Sequence, residues 1–534
     1  MRRRFHLALI AAAALLVAAP FCLLVAREYA DGRARQEGGR ALRFAGQDWG
    51  YPSPFLFYPR GRGYLQMSLV FDTLMWKDEG GLMGLVAESW KVSPDRRRYV
   101  FRLRPNVRWH DGSRLTARDV AFSYLYLKKH GFSWCDLGVV EDARAVDDRT
   151  VEITLDFPCA PFLTDVAGSA PIIPRHVWSE VDDPRRFTAQ AAFMGSGPFR
   201  LESYSKTHGT YSYAANADYF LGRPRIERLL YVAVGDEFLA MKNCEIDALR
   251  LWSRTLDAVS EFQGDPRYKI MRKPGAWVLR VVFNHSHPVF GKRTVRKALA
   301  LALDLEDVAE RLRHGHVVPG SPGFLPPGSP WMDPEAGRYR YDIEQATALI
   351  GSAGLEDAAV TLLAAPEYIR EAEYVSEQAR KIGIAMTVKS LPASTLDAKL
   401  REGSFDIAIS GHGGIGGDPD VLFRQFCSQT DCRPDGLAAA GPGMMRSYGY
   451  SNPELDLLGP AQHREFDRSK RRGMVRRMQE ILAEDVPTIA LWYPKMYFVY
   501  RPSVLDGWFF SPGGVSIGIP TVENKLVYIE REGR

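Results

Sequence analysis

The sequence predicts an α/β protein built as two or three lobes. Three observations carry this. The chain has 534 residues, more than one hydrophobic core organises. It alternates period-two strand segments with capped, 3.6-period helices. Between Thr361 and Val388 it runs strand, helix, strand, the unit that imposes parallel pairing.

Arg2, Arg3 and Arg4 precede an apolar run from Phe5 to Ala26, which reads as an export signal or a membrane anchor with its amino end inside. Val17-Ala18-Ala19 offers the small residues of a cleavage site, with Pro20 opposing it, and Cys22 reads as an ordinary apolar residue of the run. Residues 1–30 are assigned to this segment and 31–40, polar and charged, to a linker. Net charge is only +5, and the Arg-rich start supplies much of it, so a nucleic-acid surface is not indicated.

The fold starts near Ala41. Trp49, Tyr51, Phe55, Phe57 and Tyr58, interleaved with prolines, form a loop without helical or strand period, a candidate cleft lining. A helical spacing follows from Tyr64 to Trp76. The stretch Ala87 to Tyr124 is the most informative. Tyr99, Phe101 and Leu103 alternate with polar partners as in a half-buried strand, Ser93-Pro94-Asp95 and Asp111-Gly112 make turns, and Thr116 with Asp119 caps a helix carrying Val120, Phe122 and Tyr124.

These residues, Ala-Glu-Ser-Trp, Ser-Pro-Asp, the alternating strand, Val107 to Trp109, Asp111-Gly112 and Thr116 with Asp119-Val120, resemble the signature of the family 5 extracytoplasmic solute-binding proteins of ABC importers, which bind dipeptides, oligopeptides or nickel. The resemblance continues through Gly195-Ser196-Gly197-Pro198-Phe199, Asn216 to Phe220, Val295 to Leu299 and Ser451 to Asp456. It implies a two-lobed periplasmic-binding-protein type II fold with a hinge and an interlobe ligand cleft.

On that basis lobe 1 is expected over 41–275, with 505–534 returning to it, and lobe 2 over 276–504. Val278 to Phe283 is an apolar strand broken only by Arg280, as suits a crossing between lobes. Thr361 to Leu363 and Ala385 to Val388 are strands flanking a helix from Arg370 to Gly383. Phe405 to Ser410 is a buried strand, and Ile489 to Tyr493 a final crossing strand.

After Ser410 comes Gly411-His412-Gly413-Gly414-Ile415-Gly416-Gly417-Asp418-Pro419-Asp420. It matches G-x-G-x-x-G, but the loop is longer in Gly than that fingerprint needs and Pro419 with Asp420 puts acidic charge where a pyrophosphate would lie, so a dinucleotide site is rejected in favour of a backbone-lined cleft loop. The resemblance places in this loop the Asp with which peptide-binding relatives pair the peptide amine; the position falls on Ile415, with Asp418 and Asp420 as nearby substitutes. Arg370 falls near the Arg that relatives use for the peptide carboxylate, a role suited to a planar, bidentate cation.

The candidate ligand-binding residues are Trp49, Tyr64, Trp277, Tyr368, Arg370, His412, Ile415 and Asp418. For a nickel chelate, the alternative cargo, His412 is the candidate ligand. Cys427 and Cys432, closing a small polar loop, and Cys135 with Cys159 are the disulfide candidates, and their spacing is not that of a zinc site.

No G-x-S-x-G elbow or H-E-x-x-H helix is present, so an enzyme is not expected, nor a cofactor. The expected role is the extracytoplasmic substrate-binding component of an ABC transporter: a monomer that captures a peptide or similar small polar solute and meets the permease at the periplasmic face of the membrane. A membrane-anchored ligand sensor is the alternative from another class.

Overall fold

The computed structural model describes residues 40–58, 61–251, 256–337, 339–355, 358–428, 448–519 and 521–530. The Phe5 to Ala26 segment and Cys432 lie outside them. No helix among the described residues is long and apolar enough to cross a membrane.

The strand Thr488–Tyr500 ties the architecture together. Ile489-Ala490-Leu491-Trp492-Tyr493 is a continuous apolar run, the pattern of a strand covered on both faces, and all five are buried. Its first half pairs antiparallel with Trp277–Phe283, Thr488 opposite Val282 and Trp492 opposite Leu279. Its second half pairs with Ala248–Leu251 and Lys269–Pro274, Tyr500 opposite both Ala248 and Lys269. One strand thus belongs to two half-sheets, and it is much longer than the Ile489 to Tyr493 segment expected.

On one side the sheet continues through Trp277–Phe283, Ile407–Gly413, Ala358–Ala364 and Ile384–Ser390. The last two are parallel in the register Ala358 to Ile384, with the helix Ile369–Lys381 between them, as the strand-helix-strand pattern requires. On the other side it continues through Ala248–Leu251, Ala41–Ala45, Arg228–Val232, Thr210–Ala215 and Phe199–Ser205.

Separate cores follow. Phe44, Trp76, Phe101, Trp178 and Tyr213 pack together with Leu505, Trp508 and Val527 near the carboxyl end. Leu279, Phe283, Leu299, Val375, Ile409 and Trp492 form a second cluster, and Val278, Phe324, Phe423 and Met478 a third, on the opposite face of the same strands. The tail is fastened to the first core by a fully buried ion pair, Lys525 to Asp72 at 2.6 Å, with Ser196 and Tyr219 also donating to Asp72.

The signature stretch folds as its pattern dictates. Arg98–Leu103 is a strand with Tyr99, Phe101 and Leu103 buried. The helix Ala117–His130 begins where the Thr116 amide donates to Asp119 Oδ2 at 2.8 Å. Asp119 Oδ1 accepts from the Arg175 amide at 3.0 Å, so the cap also fixes the next segment.

Three expectations are corrected. The helix spans Gly61–Val70 and does not reach Trp76, which lies in the strand Met75–Lys77. The chain must turn after Val70 because Asp72 is drawn to Lys525. The strand after Phe405 runs Ile407–Gly413, so His412 is a strand residue opposite Val278 rather than a loop residue. Cys135 and Cys159 are free thiols, not a disulfide. Cys159 hydrogen-bonds with His463, and Cys135 lies close to Tyr64 and Tyr124. Cys427 Sγ donates to the Leu455 carbonyl at 3.2 Å, and its expected pairing with Cys432 falls outside the described residues.

Candidate functional site

Trp277 opens its strand with its indole 5.5 Å from Trp492 and 6.1 Å from Tyr368, ring centre to ring centre. This places two of the expected ligand residues in one aromatic wall and adds Trp492 to it. The wall is anchored from behind. Trp492 Nε1 donates to Glu371 Oε1 at 3.0 Å, and Arg313 pairs with the same carboxylate while its guanidinium lies 5.0 Å from the Trp492 ring. Gly411 is required beside it: a Cβ there would stand 1.7 Å from Trp277 Cζ2.

The glycine loop beyond the wall meets the tail from the other half of the molecule. A Cβ on Gly417 would lie 3.1 Å from the Gly518 Cα, so the two backbones touch. Ile415 turns away from this contact. It is 1% exposed and packs with Ala276, Val278 and Phe324, which makes the position matched to an amine-binding Asp a core residue here. Asp418 is engaged too, accepting from Arg471 Nη1 at 2.9 Å, from Arg471 Nη2, and from the Asp420 amide at 3.0 Å. A ligand ammonium would therefore compete with Arg471 for it.

Asp420 is the hub of a buried ionic chain. Its Oδ1 accepts from Gln462 at 2.9 Å and contacts His463 Nδ1 at 2.8 Å, and its Oδ2 accepts from Arg424 at 2.9 Å. Burial opposes the Asp420 charge, but His463, Arg424 and Arg471 hold its carboxyl well below the usual carboxylate range. Burial likewise opposes the His463 charge, and Asp420 overrides it, raising the imidazole well above its ordinary value.

The chain continues across the molecule. Arg424 donates to Asp165 at 3.1 Å, and His463 accepts through its carbonyl from the Ala160 amide at 2.8 Å. Asp165 is raised by burial, with Arg424 opposing. Lys77, 7% exposed, donates to the Ser516 carbonyl at 3.2 Å; burial lowers its ammonium while Asp165 and Asp418 oppose that.

The remaining expected residues are dispersed. Trp49 is half-buried, 6.0 Å from the Arg62 guanidinium, which burial pulls down to about 10. Tyr64 is wholly buried, stacked at 4.7 Å on Trp134 and donating to the Ser169 carbonyl at 2.9 Å, which makes it a core residue. Arg370 is exposed at the start of the helix Ile369–Lys381, with no ion pair or hydrogen bond among the described residues. His412 Nε2 faces Gln425 Nε2 at 3.2 Å. Among the described residues no group of three His, Cys, Asp or Glu side chains is placed to hold a metal.

Sequence reading missed Asp165, Arg424, Arg471, His463 and Lys77. Asp165, Arg471, His463 and Lys77 take their roles from partners far along the chain, with nothing local to mark them; Arg424 carries one local signal, Asp420 four residues earlier on its helix. Asp420 was visible as part of the acidic run after the glycines.

The family model for bacterial extracellular solute-binding proteins, family 5 Middle, matches residues 81–432. The chain is 26% identical over 462 residues to the dipeptide-binding protein of Escherichia coli (strain K12), covering 80% of this chain and 84% of that one. Its fold is similar to NikZ from Campylobacter jejuni in complex with Ni(L-His), with TM-score 0.75, 24% identity and coverage of 90% and 97%. It is also similar to DppA from Helicobacter pylori in complex with the peptide STSA, with TM-score 0.74, 21% identity and coverage of 92% and 98%.

Proposed function

The chain belongs to the bacterial extracellular solute-binding proteins of family 5, and from that membership we propose that it is the substrate-binding component of an ABC importer, taking up a peptide or similar small polar solute. Such proteins bind and deliver; they are not enzymes. The observation that carries the reading is the aromatic wall of Trp277, Tyr368 and Trp492, set where the strand Thr488–Tyr500 passes from one half-sheet to the other and beside the glycine loop.

In this reading residues 41–275 and 505–534 form one lobe, 276–504 the other, and the solute lies between them. Closure is favoured by the solute's greater affinity for the closed state, and that state meets the permease. Trp277 and Tyr368 stack on the solute, and Arg370, exposed and unpaired among the described residues, receives its carboxylate. The protein acts as a monomer at the periplasmic face, held there or released according to the fate of the Phe5 to Ala26 segment. A chelated metal would bring its own organic ligands, since among the described residues no group of three His, Cys, Asp or Glu side chains is placed to hold one.

Native mass spectrometry of the protein purified without denaturation tests this. A co-purifying peptide or polar solute, lost when Trp277 is changed to Ala, is the expected result. Purified protein that carries nothing and binds no member of a dipeptide and tripeptide library would overturn it.

A further inference from the structure

Arg280 interrupts an otherwise apolar strand, and its surroundings explain the strand but not the charge. It is 4% exposed. Cross-strand from Ser410, it lies between the cluster holding Val278 and Phe324 and the cluster holding Val282, Leu400 and Phe405. Its guanidinium stands 5.4 Å from the Phe324 ring.

A guanidinium has five N–H donors. Those of Arg280 make one hydrogen bond among the described residues, Nη2 to Gln425 Oε1, at a long 3.4 Å, while Nε has no partner. No carboxylate among the described residues pairs with it. Tyr448 packs on the cluster holding Val282 and Phe405, and its buried hydroxyl has no hydrogen-bond partner among the described residues. Its ring is fixed edge-on against Phe405 at 4.9 Å.

Arg296 is the internal control. It too is 4% exposed, yet it donates to the carbonyls of Val486 at 2.9 Å, Phe290 at 2.8 Å, Gly291 at 3.1 Å and Asp485 at 2.8 Å. Burial pulls both guanidiniums down to about 10, but the Asp485 carboxylate opposes this at Arg296 and no carboxylate does so at Arg280. Arg424 and Arg501 also leave Nε open, but each pairs with a carboxylate through its terminal nitrogens. Arg280 alone in this comparison is a buried cation with neither carboxylate nor carbonyl. A desolvated charge in that condition is costly unless an anion completes it.

We propose that Arg280, with the Tyr448 hydroxyl and the Gln425 amide, is a buried binding site for an oxyanion, a carboxylate or phosphate group. Gln425 links it to His412, its Nε2 facing His412 Nε2, so the site adjoins the glycine loop. A planar oxyanion matches the fork of N–H donors that the guanidinium leaves unpaired, and Tyr448 adds a donor. The anion is either an acidic group of the transported solute, which deepens and rests on the importer reading, or a free ion. In the first case the cargo is acidic, consistent with a cleft whose Asp418 is already occupied by Arg471.

The test uses the full-length chain, with inorganic phosphate and succinate as probes and sodium chloride balancing ionic strength. Tm should rise saturably with either probe. Arg280→Met should abolish the rise and, lacking the unpaired charge, melt no lower than the wild type without probe. Tyr448→Phe and Arg280→Lys should retain it with half-saturation at least tenfold weaker, which keeps the test valid if the Met variant fails to fold. An equal rise in wild type and Arg280→Met, or none in the wild type, overturns the site. Native mass spectrometry then separates the sources: loss of the co-purified solute in Arg280→Met makes the anion the solute's own, and retention makes it a free ion. Wild-type protein that carries no solute counts against the importer reading alone and leaves the Tm result standing.

Discussion

The guanidinium of Arg424 sits 3.1 Å from the carboxylate of Asp165, and the two side chains come from different cores. Asp165 belongs to the turn Phe162–Val166, whose Phe162 and Val166 pack with Phe44 and Trp76; Arg424 belongs to the helix Asp420–Phe426, whose Val421 and Phe423 pack with Val278 and Phe324. Drawing the two cores apart must break this pair, which in the proposed two-lobed reading makes it a latch on closure.

Asp165→Asn should therefore loosen closure. Arg424 keeps Asp420, so the charge is not orphaned, and the loss is expected near the lower end of the range for broken buried pairs, roughly 3 kcal/mol. Small-angle scattering should give a larger radius of gyration for the variant without solute. Unchanged scattering with a lowered Tm would make the pair a stability element and not a latch.

Lys525→Met should cost about 3–5 kcal/mol in urea denaturation, because it leaves the Asp72 carboxylate buried with only Ser196 and Tyr219. The double variant with Asp72→Asn should recover part of that loss, since no unpaired charge remains. A double variant as unstable as the single one would show that packing, not charge, dominates there.

Gly411→Ala should displace Trp277, since the added Cβ has no space against the indole. Overpacking of this kind costs about 1–3 kcal/mol. The readout that separates displacement from general destabilisation is tryptophan fluorescence together with solute retention: both should change at temperatures where the variant is folded.

The acid response follows from two histidines held neutral. His110 accepts from the Gly195 amide at 3.3 Å through Nδ1 and places Nε2 3.0 Å from the Gly197 carbonyl; His285 Nε2 lies 3.0 Å from the Pro487 carbonyl. Burial pulls each down to about 4. The unfolded chain takes up these protons near about pH 6.5 and the folded chain only near 4, so stability falls as pH drops through that window, by at most about 1.4 kcal/mol per pH unit for each. His463 has the opposite sign: its raised value keeps its contribution intact below the unfolded value and loses it as pH climbs through the folded one. Urea midpoints from pH 7 to 5 should fall in the wild type and fall less steeply in His110→Gln, where His285 alone remains.

What was legible in the sequence was local. The Thr116 and Asp119 cap, the alternation of Tyr99, Phe101 and Leu103, and the parallel unit around Ile369–Lys381 are set by neighbours a few residues away, and each formed as read. The misreadings share a long-range cause. The first helix stops at Val70 because Asp72 meets Lys525, 453 residues on. Arg424 and Asp165 are 259 residues apart, and no pattern around either announces the other. Ile415 was placed by counting along a loop, but which way a loop residue turns depends on the core beneath it, here Ala276 and Val278. Arg280 is the intermediate case: its oddity within an apolar strand was visible, while its lack of partners required the fold.

The strand Thr488–Tyr500 also constrains the order of events during synthesis. All its partners, from Ala248–Leu251 to Val317–Pro319, precede it by well over a hundred residues, so both half-sheets wait with an open edge until it arrives. At roughly 5–20 residues per second that wait lasts on the order of ten seconds or more. Open edges recruit foreign strands. Neither half-sheet closes before this strand is made, so the edges beside it stay open to foreign pairing until late in synthesis.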